Sequence, residues 1–117
     1  IQYFDAGDIH SHQAFIASLK HKPRWVLYAS GLLVENDVAQ KGMDDWKNAV
    51  HVNYLGAVSV IETLLMHENG SDLERVIGIS SIAGLRGRKA NYMYGSTKAA
   101  FYTYLFGLRQ SLRERGI

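Results

Sequence analysis

A tyrosine and a lysine stand four residues apart in the stretch MYGSTK, residues 93–98. On a helix, positions i and i+4 share a face, so Tyr94 and Lys98 would point the same way. A phenol titrates near pH 10 in water, and a neighbouring ammonium favours the phenolate. That is how a phenol becomes a usable acid or base near neutral pH. Gly95, Ser96 and Thr97, all small, leave the surface between them open to a close ligand. Upstream, Ser80 and Ser81 close an apolar run. A hydroxyl there can donate to a carbonyl oxygen while a phenol supplies the proton. Asn53 interrupts a helical pattern between Val52 and Tyr54, where a helix prefers another residue type. Together these types suit proton transfer to or from an oxygen atom. Each also has an ordinary reading, since Tyr-x-x-x-Lys arises by chance, Ser-Ser forms turns, and a helical Asn is often simply solvated. Their co-occurrence at fitting strand and helix ends favours chemistry.

The elements that must position these residues follow from periodicity. Residues 1–4 read as the end of a strand, followed by a turn at DAGD. Asp8 can cap a helix running to about His21, with Phe15, Ile16 and Leu19 on one face. Pro23 closes that helix, and RWVLYASG reads as a short buried strand ending at Gly31. After a polar loop, residues 43–68 form one long helical pattern with Asp44 and Asp45 suited to its positive end. NGSD breaks it, and RVIGIS is a further buried strand. A loop with Gly84 and Gly87 leads into a helix from about Asn91 to Arg115, stopped by Gly116. The order β-α-β-α-β-α predicts an α/β fold, a Rossmann-type doubly wound parallel sheet. In such sheets the chemistry sits at the carboxyl ends of the strands, where DAGD, ASG and Ser80-Ser81 fall. A nucleotide-binding sheet carries a Gly-rich turn after its first strand, and neither G-x-G-x-x-G nor G-x-x-x-G-x-G occurs here. Either no dinucleotide binds, or that turn lies upstream of Ile1.

Bulk properties exclude other classes. With 117 residues the chain is one domain at most, or part of one. Its 47% apolar and 21% charged residues are the balance of a globular chain, not a disordered one. No apolar run approaches the roughly 18 residues of a membrane span. The first residues lack the basic and apolar regions of a signal peptide. The absence of cysteine removes disulfides, thiolate zinc sites and a thiol nucleophile, and is compatible with a cytoplasmic location. A net charge of +2 argues against nucleic acid. His10 and His12 would fall on different helix faces, so solvated or hydrogen-bonded histidines are a better reading than a metal site.

The spacing Asn53, Ser81 twenty-eight residues on, Tyr94 thirteen further and then Lys98 resembles the short-chain dehydrogenase/reductase family. HVNYLGAVSV is similar to its asparagine-bearing helix, VIGISSIAG to its serine strand and turn, and ANYMYGSTKAA to its Tyr-x-x-x-Lys helix. The resemblance covers essentially the whole chain in order. It implies that Tyr94 is general acid in reduction and general base in oxidation. Lys98 would hold the nicotinamide ribose and support the tyrosine's charge, and Ser81, not Ser80, would position the substrate oxygen. Asn53 would sit at a helix irregularity and help order a water that feeds protons to Lys98. The implied cofactor is NAD or NADP, with Asp5 and Ala6 near the adenine ring. YASG stands where the family has Asn-Asn-Ala-Gly: Gly31 matches, while Ala29 replaces the second Asn and Ser30 the Ala. That departure removes a side chain which braces the sheet's centre, so cofactor contacts at Ala29 and Gly31 should be mostly backbone. The long helices imply a homodimer or homotetramer.

The resemblance also implies that residues 1–117 are the central and catalytic part of a longer domain. The Gly-rich first unit and the C-terminal strands would lie outside it, and the strand ending at Phe4 would be separated from WVLYA by missing strands. Such a piece alone should not bind a dinucleotide or turn over substrate. More narrowly, residues 83–101 and 105–117 resemble the reductases that act on a 2-keto sugar carried by a polyprenyl phosphate. Arg86, Arg88 and Lys89 lie between Ser81 and Tyr94, and Arg88 in particular suits a sugar phosphate. The same basic loop also reads as a solvated surface. Two other readings remain at this stage: a catalytically silent relative that binds or scaffolds, and an epimerase or dehydratase of the extended branch.

Overall fold

Pro23 cannot continue a helix, and the residues after it are aromatic and β-branched, which favours an extended chain. The computed structural model describes residues 2–117, apart from the side chains at positions 39 and 69. In it Trp25–Tyr28 forms β1 and Arg75–Gly78 forms β2, paired in parallel with Val26 beside Val76 and Tyr28 beside Gly78. The ladder continues one step, Ile79 N–H donating to the Tyr28 carbonyl at 3.0 Å. Side chains alternate across the sheet. Val26, Tyr28 and Val76 face a core built on Ala57, Ile61 and Phe101. Trp25, Leu27, Ile77 and Ile79 face the other way and are exposed. Gly78 is required opposite Tyr28, because a Cβ there would come within 2.6 Å of both Phe101 and Leu105.

The remaining elements are helical: α1 (His12–Ala17), α2 (Asn36–Lys41), α3 (Met43–Val50), α4 (Gly56–Met66) and α5 (Tyr92–Leu112). Helices α3 and α4 are continuous through a π turn at His51–Leu55, in which Gly56 N–H reaches back to the His51 carbonyl. The long helix expected over 43–68 is therefore present, but widened at its middle. Residues Met43–Met66 are long and apolar enough to cross a membrane by length and hydropathy. The expectation that nothing here reaches that length is thereby corrected. In the fold, Ala57, Ile61 and Leu64 of this helix bury against the sheet and α1. Gly56 lets α4 meet the 5–8 turn, since a Cβ would lie 1.9 Å from the Ala6 carbonyl oxygen. Helix α5 ends at Leu112, earlier than the expected Arg115, and passes into a 3₁₀ turn, Arg113–Arg115, which Gly116 stops at φ 72°.

Three expectations change. The strand over 1–4 is not found: position 1 lies outside the described residues, and residues 2–4 pair with no strand. A strand needs a neighbour. Phe4 instead stacks on His12 and packs at a tilt against Phe15, with ring centroids 5.1 and 5.0 Å away. Helix α1 begins at His12 and not after Asp8, because residues 5–11 run in tight turns, Asp8 N–H to Asp5 O and Ser11 N–H to Asp8 O. The polar loop after Gly31 contains α2, too short to leave a periodic signal.

Candidate active site

The site forms where β1 and β2 end. Asn53 comes from the π turn and is fully buried. Its carboxamide clamps both backbone groups of Leu32, accepting from the N–H at 2.6 Å and donating to the carbonyl at 2.9 Å. The same nitrogen donates to Thr97 Oγ1 at 3.0 Å, and that hydroxyl donates to the Tyr94 carbonyl at 2.7 Å. One side chain thus ties the turn after β1 to α5. Both of its amide protons are engaged in this clamp, so the side chain holds geometry.

Lys98 enters from α5 and is 3% exposed. Its ammonium donates to the Ile79 carbonyl at 3.0 Å, just past β2, which leaves two protons for a ligand. Burial lowers its pKa from the usual 10.5. Gly31 faces it: a Cβ there would stand 3.3 Å from Lys98 Nζ and 3.6 Å from Asn53 Oδ1. The bare backbone at Gly31 therefore leaves an approach to the ammonium that a side chain would fill.

The two serines divide their work. Ser80 Oγ donates to the Lys98 carbonyl at 3.1 Å, so its proton is used. Ser81 Oγ accepts from Ala83 N–H at 3.1 Å, capping the short turn Ile82–Gly84, and its own proton stays available. Ser81 is the better donor to a substrate oxygen. That turn docks on α5 through two glycines. A Cβ on Gly84 would come 2.7 Å from Ala99 N, and one on Gly95 would come 2.5 Å from Ala83 O. Gly95→Ala should therefore destabilise the full-length protein by about 1–3 kcal/mol, the overpacking cost exceeding any gain in helix propensity. Gly107→Ala is the control, as nothing lies near its Cβ position. Thermal melting should show the first variant lowered and the second unchanged or raised; equal shifts would refute the close docking.

Tyr94 lies one turn before Lys98 on α5, half-buried, and no described residue hydrogen-bonds its hydroxyl. Asp5 and Ala6 sit in the turn against α4, where the Asp5 carboxylate accepts Gly7 N–H at 2.8 Å. An open cleft of about 470 Å³ is lined by that turn together with Leu32 and Val52. Ala29 is exposed just after β1. Arg86, Arg88 and Lys89 are exposed on the loop before α5, and no described contact brings Arg88 to the other site residues. Of the expected residues, Gly31, Asn53, Lys98 and the Ser80-Ser81 turn are thus brought together.

Three positions were not singled out from the sequence. Thr97 relays Asn53 to α5. Asn36, 7% exposed, donates to the Lys89 carbonyl and accepts Met93 N–H at 3.2 Å, fixing the loop and the start of α5. Tyr28 reaches from β1 to the π turn. Only the burial of polar residues signals these roles, and burial is invisible in sequence. His12 is the satisfied histidine anticipated, buried with Nδ1 2.9 Å from Ser59 Oγ and Nε2 3.0 Å from the Asp5 carbonyl.

Residues 2–117 match the short chain dehydrogenase family, to which this chain belongs. An uncharacterized oxidoreductase of Mycobacterium tuberculosis is 32% identical over 117 residues, a stretch covering 97% of this chain and 47% of that protein. The chain spans about half the length of the relatives it matches. Serine dehydrogenase of Escherichia coli superposes with a TM-score of 0.84 at 24% identity, covering 96% of this chain and 54% of that one. A 4-hydroxyisoleucine dehydrogenase complexed with NADH gives 0.85 at 17% identity, covering 97% and 52%. At these identities the likeness shows a shared Rossmann-type fold.

Proposed function

We propose that this chain is the central, catalytic part of an NAD(P)-dependent oxidoreductase that interconverts a ketone and a secondary alcohol. The observation that carries this is the buried Lys98 ammonium, held by Ile79 O with two protons to spare beside the bare Gly31 backbone. That arrangement suits a ligand bearing vicinal hydroxyls, such as the nicotinamide ribose, and relatives of the same fold bind NADH or NADP+ by their descriptions. Gly31 and Lys98 would hold the ribose, Ala29 the turn beside it, and Asp5 with Ala6 the adenine end. The cofactor, when bound, supplies or takes up the hydride. Ser81 donates a hydrogen bond to the carbonyl oxygen, and Tyr94 delivers its phenolic proton to that oxygen in reduction or removes it in oxidation. Lys98 stabilises the charge left on the phenolate. Asn53 keeps Leu32 and α5 in register around them.

The exposed strand face of Trp25, Leu27, Ile77 and Ile79 supports a domain that continues beyond these residues in a longer enzyme. On α5, Tyr102 and Phe106 stack 6.4 Å apart and are 46% and 55% exposed, which supports pairing of copies through the long helices. The substrate we favour is a keto sugar, including one carried on a polyprenyl phosphate, met at its phosphate by Arg88. In the full-length protein, NADH or NADPH should be oxidised with keto sugars or keto lipids, and no turnover with either cofactor across that panel overturns the reading. Arg88→Ala should raise KM for a phosphorylated substrate by about tenfold, the loss of a charge-assisted hydrogen bond, and leave a neutral ketone unaffected. Equal effects on both substrates would remove Arg88 from the site.

A further inference from the structure

The π turn carries Asn53, yet nothing in the helix itself explains why it is held in one place. A π turn is a rare local departure from the α-helix, so contacts from outside are needed to favour it at one place. Tyr28 supplies that support. It is 4% exposed at the end of β1, with its ring edge-on to Phe101 at 5.8 Å and 67°. Its hydroxyl crosses to the long helix and donates to the Val52 carbonyl at 2.5 Å, one residue before Asn53. Burial pushes the Tyr28 phenol up to about 12, so it remains a donor throughout the working range. Asn53 in turn makes the hydrogen bonds to Leu32 and Thr97, and Leu32 follows the Gly31 that faces Lys98. The chain of contacts runs from the sheet to the candidate site without a break.

We propose that Tyr28 is a positioning residue whose hydroxyl locks the π turn, and through Asn53 sets the placement of Gly31 and Lys98. It stands at the first position of YASG, where the resembling proteins carry Asn. The inference rests on the oxidoreductase reading for its catalytic consequence, but its geometric content can be read without activity.

The test is Tyr28→Phe in the full-length protein, followed first by amide hydrogen exchange. Exchange of Leu32 N–H, whose acceptor is Asn53 Oδ1, should speed up by about tenfold, while Ile79 N–H in the sheet ladder is unchanged. If the protein turns over, kcat should fall by about tenfold with KM for the ketone within about twofold, and the substitution should cost nothing more in an Asn53→Ala background. Unchanged Leu32 exchange, or equal acceleration of Leu32 and Ile79, overturns the proposal. So does a kcat loss of the same size in both backgrounds. A wild-type protein that binds no dinucleotide and reduces no ketone overturns the oxidoreductase reading, and the exchange result still decides the role of Tyr28.

Discussion

Tyr94→Phe in the full-length protein is expected to lower ketone reduction by about 10²–10⁴-fold while the protein stays folded, the range for loss of a general acid. The substitution removes one oxygen and nothing that holds the site. No described residue depends on that hydroxyl, and the Tyr94 carbonyl keeps its bond from Thr97 whatever the side chain. Stability should change by no more than about 0.5 kcal/mol, as for a surface substitution away from special features. On the oxidoreductase reading Ser81 and Lys98 would still bind and polarise, so cofactor affinity should be within a few-fold of wild type. Initial rates of NAD(P)H oxidation, paired with cofactor titration and melting, separate these effects. A variant that keeps a third or more of its activity would show that another group moves the proton.

How much of this was legible before the structure differs from residue to residue. The strands were readable because WVLY and RVIG are short apolar runs between breakers, and pairing them needed only an α-helical crossover. Tyr94 and Lys98 were readable because four residues is a local spacing. Ser81 was distinguished from Ser80 by resemblance, and the structure adds the physical reason: the proton of Ser80 goes to Lys98 O. The π turn could not be read from periodicity. It depends on Gly56 meeting Ala6 and on Tyr28 meeting Val52, contacts between residues 50 and 24 positions apart. Asn36 and Thr97 were opaque for the same reason, since their partners lie up to 57 residues away. The strand expected at 1–4 failed because extended sequence becomes a strand only beside another one. Local pattern revealed the candidate groups; non-local packing decided what holds them.

The Lys98→Met variant should separate function from stability. Lys98 is buried without a carboxylate within ion-pair distance among the described residues, and its ammonium rests on the Ile79 carbonyl and 5.9 Å from the Phe101 ring centroid. A buried cation lacking a counter-ion is costly. Methionine keeps the volume and removes that cost, but leaves Ile79 O without its donor, a loss of about 1–3 kcal/mol. The two effects oppose each other, so net stability at neutral pH should move by no more than about 1–2 kcal/mol. On the oxidoreductase reading, activity should fall by at least about 100-fold, because the phenolate would lose its cation and the ribose its donor. The pH dependence identifies the cause. Folding lowers the Lys98 pKa below 10.5, so between that lowered value and 10.5 the unfolded chain binds more protons than the folded one. Wild-type stability relative to the variant must therefore rise with pH through that window and be constant below it. Denaturant unfolding of both proteins from pH 7 upward measures the difference directly. A difference independent of pH would mean the ammonium is solvated, and the approach past Gly31 would then lead to water instead of to a poised cation.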